Sequence, residues 1–213
     1  MLLLALDTAT PAVTCAVHDG SAVLAARSSV DARRHGELVA PMVRDVLAAA
    51  GVAPRSLSMI AVGVGPGPFT GLRVGVMTAR TLAHVTGAEL VGVCSLDALA
   101  SAVVATRARG GQPFVVATDA RRKEVYWACY DSAGRRTRGP GVDRPEDLAS
   151  RLTADAVVVG RGGQLYAEVL PVVDGPLDPE AAALASAVVA GSVPLLPAEP
   201  LYLRRPDVTV GPR

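Results

Sequence analysis

The chain opens on LLLALD, a continuous apolar run ending in Asp7. VTCAVHD then alternates up to Asp19, and SAVLAARSSV alternates again after Gly20. A continuous run is the pattern of a strand buried on both faces, and an alternating run that of a strand with one dry face. Three successive strands joined by tight turns are therefore expected. From Gly36 to Ala50 the apolar positions take helical spacing, stopped by Gly51 and Pro54. Only Glu37, Arg44 and Asp45 are charged along that helix, which predicts either burial within the protein or a partner that covers it. A strand MIAVGVG, a second helix ending at Gly87, a strand ELVGVCS and a helix from Leu96 to Thr106 complete this half.

Between MIAVGVG and the second helix lie Gly65, Pro66, Gly67, Pro68 and Gly71, which cannot continue a strand or a helix, so the chain must turn there. Thr70 is placed to cap the helix that follows. Gly75, Ala79 and Ala83 then recur every fourth residue and leave one flank nearly free of side chains, open to close approach of another backbone. A glycine-rich turn entering a helix is a common phosphate cradle, because free N–H groups point at the anion. This one is neither G-x-G-x-x-G nor a P-loop, and Arg73 is its only cation. A purely structural turn is the competing explanation.

After the polar stretch RARGGQP the pattern repeats. Ala5, Asp7, Val13, Ala16 and Asp19 meet the same residue types 112 positions later, at Ala117, Asp119, Val125, Ala128 and Asp131. AVVVGRGG further on stands where the first half has AVGVGPG. A duplicated unit follows, and two such units side by side describe an α/β architecture of the sugar-kinase, Hsp70 and actin type. The units divide into residues 1–108 and 109–213. The second is eroded: RGPGVDRP stands in place of an extended hairpin, and the helix from Pro145 to Leu152 is short. Asp178 and Pro179 open a last helix that ends at Gly191 and is expected to pack back on the first half. The Pro-rich tail should be disordered over its final ten residues.

Half of the 213 residues are hydrophobic and only 3% aromatic, so the core is built from Ala, Val and Leu. A formal charge of +1 gives no case for wholesale nucleic-acid binding. Cys15, Cys94 and Cys129 lack C-x-x-C spacing and read as buried thiols in a reducing compartment. The opening MLLLALDTAT has no basic leader, and Asp7 breaks its apolar run, so neither a signal peptide nor a membrane span is expected, and a cytoplasmic location is. His18, His35 and His84 show no metal-ligand spacing. Asp7 and Thr8 at the end of the first strand, with Gly65 and Gly67 nearby, resemble the phosphate and metal corner of actin-like ATPases. The alternative is that Asp7 hydrogen-bonds the turn and Thr8 caps it. The cations Arg121, Arg122, Lys123, Arg135, Arg136 and Arg138 suit either RNA phosphates or a solvated hairpin.

GPGPFTGLRVG, with LALDTATPAVTCAV, RHGELVAPMV, TDARRKEVYWACY and the late PLYLRRP, resembles the TsaB (YeaZ) family of accessory proteins in bacterial tRNA threonylcarbamoyladenosine synthesis. The resemblance spans nearly the whole chain. It implies an actin-like fold of two subdomains, and partnership with the catalytic paralogue TsaD and the ATPase TsaE. The histidines with which TsaD holds its metal fall here on Ser95 and Leu99, so the resemblance implies no cofactor on this chain, with ATP and metal on the partner subunits. It puts the partner contact on the first two helices, at Leu38, Met42, Val43, Val46, Leu72, Val76, Ala79 and Ala83. The partner there is TsaD, or a second copy in a homodimer. The function implied is a non-catalytic scaffold for threonylcarbamoyl transfer to the adenosine beside the anticodon of tRNAs that read codons starting with A. The rival functions are a small ATPase or kinase built on Asp7, Thr8 and the glycine loop, a peptidase, and a direct tRNA-binding module.

Overall fold

The structure, a computed structural model, describes residues 1–106 and 111–204. The start of the RARGGQP stretch and the last nine residues, including most of the tail expected to be disordered, lie outside the described residues.

The opening apolar runs form β1 (Leu3–Asp7), β2 (Ala12–His18) and β3 (Val23–Val30) as an antiparallel meander. β4 (Met59–Gly63) joins β1 in parallel, and β5 (Glu89–Val93) joins β4, giving the order β3-β2-β1-β4-β5. α1 (His35–Ala50) and α2 (Phe69–Thr86) cover one face of this sheet, against Leu4, Leu6, Val13, Cys15 and Val17. Both helices end on a left-handed glycine, Gly51 and Gly87, as their spacing predicts. Alternation along β1 sends Leu3 and Ala5 to the opposite face, where the late helix α6 (Ala181–Val189) lays Ala181, Leu184, Ala185 and Val188 on them. The last helix therefore does return to the first half of the chain.

The second sheet repeats the same order with one strand fewer. β6 (Phe114–Asp119) lies between β7 (Val125–Tyr130) and the short parallel β9 (Val158–Val159), with β8 (Arg136–Asp143) on the outer edge. The RGPGVDRP segment thus does not replace a hairpin. Most of it belongs to β8, which stays paired with β7 through register shifts beside Trp127 and Cys129. α4 (Pro145–Ala149) and α5 (Arg161–Leu165) are single turns on the far side.

α3 (Ser95–Thr106) is the helix that is sandwiched. It is buried from Ser95 to Ala100, with Ala98 against the first sheet and Leu96, Leu99 and Val103 against Phe114, Val116 and Tyr130 of the second. Its one buried acid, Asp97, accepts a 2.8 Å hydrogen bond from the Tyr130 hydroxyl and lies 3.4 Å from Arg136 Nε. A paired acid between two apolar layers fixes how the halves meet, because shifting either would strand a buried charge. α1, by contrast, buries Val39, Met42, Val43, Val46 and Leu47 and shows solvent Ala40, Pro41, Ala48 and Ala49 together with its charges Glu37, Arg44 and Asp45.

Two expected caps differ. α2 starts at Phe69 with Pro68 at the cap position and no side-chain cap, so Thr70 sits inside the first turn. α6 starts after Glu180, and Asp178 instead binds Arg161 through both guanidinium arms, with Arg161 Nε 3.0 Å from its Oδ1. A bidentate ion pair outcompetes a cap because it satisfies two charges at once.

The small flank of α2 is used within the chain. A Cβ on Gly75 would overlap the Thr8 hydroxyl, and one on Gly71 the Thr8 carbonyl. Gly75→Ala is therefore expected to lower stability by about 1–3 kcal/mol through overpacking, although Gly→Ala inside a helix ordinarily gains about 1 kcal/mol. Urea unfolding reads the sign, and a variant more stable than its parent would contradict this packing.

Candidate functional site

β1 and β4 end side by side, so their parallel pairing delivers Asp7, the glycine loop and the start of α3 to one corner. Asp7 is 1% exposed. Its Oδ1 accepts from the Ala9 amide at 2.7 Å, and its Oδ2 accepts from the Ser95 hydroxyl at 2.6 Å. Ser95 Oγ in turn accepts from Gly65 N–H at 3.1 Å, and Ser95 N–H donates to the Gly65 carbonyl at 2.8 Å. Thr8 donates to the Gly71 carbonyl at 2.7 Å, so it does not cap the turn. Asp7, Thr8, Gly65 and Gly67 are thus brought together, but each is buried and engaged by its neighbours. A side chain at Gly63 would strike the Asp7 carboxylate, and one at Gly67 the Ala9 carbonyl. Glycine here lets the loop close down on the end of β1.

Burial pushes the Asp7 carboxyl up to about 6, against the lowering effect of the Ser95 and Ala9 hydrogen bonds and with a contribution from the charge of Asp178. Ser95 and Leu99, the positions aligned with metal-binding histidines, are a hydroxyl committed to Asp7 and a fully buried core side chain. Among the described residues, no three His, Cys, Asp or Glu side chains gather into a metal site. The histidines bind backbone or solvent: His35 Nε2 donates to the Thr10 carbonyl, His18 Nδ1 accepts from Gly20, and His84 is exposed.

A strap from Leu195 to Arg204 closes the corner from outside. Leu196 exchanges both backbone hydrogen bonds with Gly92, which covers the edge of β5. Leu201 N–H donates to the Val64 carbonyl at 2.7 Å, and Tyr202 stacks on Phe69 with ring centroids 5.2 Å apart. Leu196 and Leu201 each touch the cores of both halves. Arg204 ends the strap by pairing with Glu124 and reaching the Ala120 carbonyl in the second half. The late PLYLRRP segment marks this element in the sequence, but nothing in its composition says what it covers.

Beside the closed corner a polar notch of about 220 Å³ remains, lined by Thr8, Thr10, Arg33, Thr70 and, from the second half, Arg121. The equivalent glycine turn of the second half, at Gly160 and Gly162, presses on the backbone of Ala117 and Thr118.

The comparisons with known proteins follow this architecture. The family model described as TsaD, tRNA N6-adenosine threonylcarbamoyltransferase, matches residues 27–168. The tRNA threonylcarbamoyladenosine biosynthesis protein TsaB of Escherichia coli is 35% identical over 179 residues, 79% of this chain and 75% of that protein. The chain belongs to the TsaB (YeaZ) family. YeaZ from Pseudomonas aeruginosa superposes with a TM-score of 0.80 at 35% identity, over 95% of this chain and 99% of that one. The activator of the 2-hydroxyisocaproyl-CoA dehydratase from Clostridium difficile, at 10% identity and a TM-score of 0.51 over 90% and 97% of the chains, shares the fold alone. The fold is the duplicated actin-like one, with β3-β2-β1-β4 repeated as β8-β7-β6-β9.

In this TsaB-family chain the helix positions expected at a partner contact fall mostly inside. Met42, Val43, Val46, Leu72, Val76 and Ala79 are buried against the protein's own sheet, and Leu38 and Ala83 are partly exposed. The residues that α2 shows to solvent are instead Phe69, Thr70, Arg73, Met77, Arg80, Thr81, His84 and Val85, with Met77 56% and Val85 65% exposed. Helical spacing revealed that α1 and α2 are rich in apolar positions, but not that the sheet would claim the larger ones.

Because the folded Asp7 carboxyl is raised above the unfolded value of about 3.9, the native state holds this proton more tightly. Its contribution is fully present below about pH 4 and is lost as pH rises through about 6. Asp7→Asn carries no such titration. The stability difference between variant and parent should therefore move in the variant's favour by about 2–3 kcal/mol between pH 4 and pH 7. Urea melts at the two pH values check this, and an unchanged difference would contradict it.

Proposed function

We propose that this protein is an accessory subunit in the synthesis of threonylcarbamoyladenosine in tRNA, and that it works by docking to a TsaD-type transferase. Family membership supports the pathway, since relatives from Escherichia coli, Haemophilus influenzae and Bacillus subtilis are all named TsaB for that biosynthesis. One observation carries the docking reading: the large apolar side chains left in solvent on α2. Met77 and Val85, 56% and 65% exposed, lie about two turns apart and about 80° from each other around the helix, and Phe69 in the first turn is 37% exposed between Tyr202 and Arg73, whose guanidinium lies 4.2 Å over its ring. The outer face of α1 beside it mixes Ala40, Pro41, Ala48 and Ala49 with the charges of Glu37, Arg44 and Asp45, a polar rim to that apolar surface.

In this reading the transferase contact uses the helices α1 and α2 through their outward faces. The same surface pairs with a second copy when TsaD is absent, and the joint surface receives TsaE. Catalysis, ATP and metal belong to the partner subunits. The engaged Asp7 corner supports a scaffold over an ATPase, because its carboxylate and the Gly65 amide are already spent on internal hydrogen bonds. A peptidase finds little support. Ser95 is 1% exposed, and burial pushes the Cys15 and Cys94 thiols up to about 12.

Size-exclusion chromatography with light scattering tests the reading on the protein alone and on its equimolar mixture with TsaD from the same organism. A dimer that exchanges into a one-to-one complex is expected. Met77→Glu should weaken that complex at least about 30-fold, the loss at a central interface residue, while changing stability by no more than about 0.5 kcal/mol, as surface substitutions do. Val76→Glu should instead unfold the protein. A monomer that ignores TsaD would contradict the proposal.

A further inference from the structure

The basic residues of the β6–β7 turn and of the β7–β8 hairpin differ in their surroundings once the chain is folded. In the β7–β8 hairpin the charges are absorbed: Arg135 pairs with Asp131 at 2.8 Å and Arg136 reaches Asp97. Arg138 and Arg151 lie over the Trp127 ring, and Arg151 also pairs with Asp143 at 2.7 Å. The β6–β7 turn differs. Arg121, Arg122 and Lys123 are all exposed and follow one another at φ of 61°, 54° and 60°. That left-handed region would be held at less strain by glycine or asparagine. Lys123 makes no ion pair with any described residue, and Arg121 has only a 3.4 Å contact to Asp119. Arg33, likewise without an ion-pair partner among the described residues, lines the same notch from the first half. Arg204 holds the turn in place through Glu124 and the Ala120 carbonyl.

We propose that the Arg121–Lys123 turn, with Arg33 in the notch that Arg121 lines, is where this protein grips the sugar–phosphate backbone of the tRNA. The proposal rests on the role in tRNA modification argued above and deepens it, since it gives the accessory subunit a direct hold on the substrate. Strain is retained under three consecutive basic side chains, which a merely connecting turn does not need. The notch, at about 220 Å³, is smaller than the roughly 300–1,000 Å³ of small-molecule pockets. It admits a phosphodiester group flanked by the Thr8, Thr10 and Thr70 side chains rather than a whole nucleotide. Two cations from different halves of the chain lining one small notch, Arg33 and Arg121, suit a chain of phosphates that continues past it.

The test is fluorescence polarisation of an unmodified, end-labelled tRNA transcript that reads a codon starting with A. It is titrated with the full-length protein in equimolar mixture with TsaD at several salt concentrations. Arg121→Gln/Lys123→Gln is expected to weaken binding about tenfold or more and to flatten the slope of log affinity against log salt by about two, one for each phosphate contact removed. Lys123→Gly should raise the melting temperature by relieving its left-handed backbone and still weaken RNA binding, which separates the contact from folding. Arg135→Gln, in the absorbed group, should leave affinity unchanged. A double variant with parental affinity and salt slope would overturn the proposal. So would saturation of the notch by free ATP with no effect on tRNA binding. Failure to co-elute with TsaD would instead contradict the docking reading, and the same titration on the protein alone would then decide this one.

Discussion

The burial of one carboxylate organises this molecule. Asp7 ends the central strand, where an ionised group without partners would cost several kcal/mol, so the surrounding chain is arranged to meet it. Ser95 must open α3 at hydrogen-bond distance, Gly65 must bring its amide to Ser95, and Gly63 must lack a side chain for the carboxylate to fit at all. Those demands fix the relation of β1, β4, the glycine loop and α3. Since α3 is the layer shared by both sheets, they fix the relation of the two halves as well.

The same arrangement changes what the fold can do. In an open corner of this kind the loop amides and the strand-end acid would face a ligand. Here they face each other, Thr8 fills the space beside Gly71 and Gly75, and the strap lays Leu196 and Leu201 across both cores from outside. In the proposed function recognition falls to the surface: the exposed apolar side chains of α2 and the cations that line the notch, Arg33 and Arg121. Outer faces rather than an open cleft are what the proposed accessory role asks of the molecule.

Much of the fold was legible in the sequence because strands and helices carry their own periods, and left-handed stops such as Gly51 and Gly87 are local events. The repeat of Asp7 at Asp119 exposed the duplication. The losses were tertiary. Asp178 looks like a cap until Arg161, 17 residues away in the chain, claims it. The family resemblance puts the partner contact on α1 and α2, but no local signal says which of their sides meets the sheet, and it is the sheet that takes Val76 and Ala79. Arg121, Arg122, Lys123, Arg135, Arg136 and Arg138 read alike as letters, and only the folded positions of Asp131, Asp97 and Trp127 show which of them the second hairpin absorbs. Asp7 was legible as a candidate, but its partner Ser95 lies 88 residues on, and no local signal joins them.

The closed corner is tested most directly by thermal unfolding of the protein with rising Mg–ATP, to about 100 times the dissociation constant of an ordinary nucleotide site. Binding there would add about 2.7 kcal/mol and raise the melting temperature by several degrees. With Asp7, Ser95 and Gly65 committed to one another, no rise is expected. A saturable rise that disappears in Asp7→Asn would show that the corner opens to nucleotide and would contradict a scaffold role for this chain.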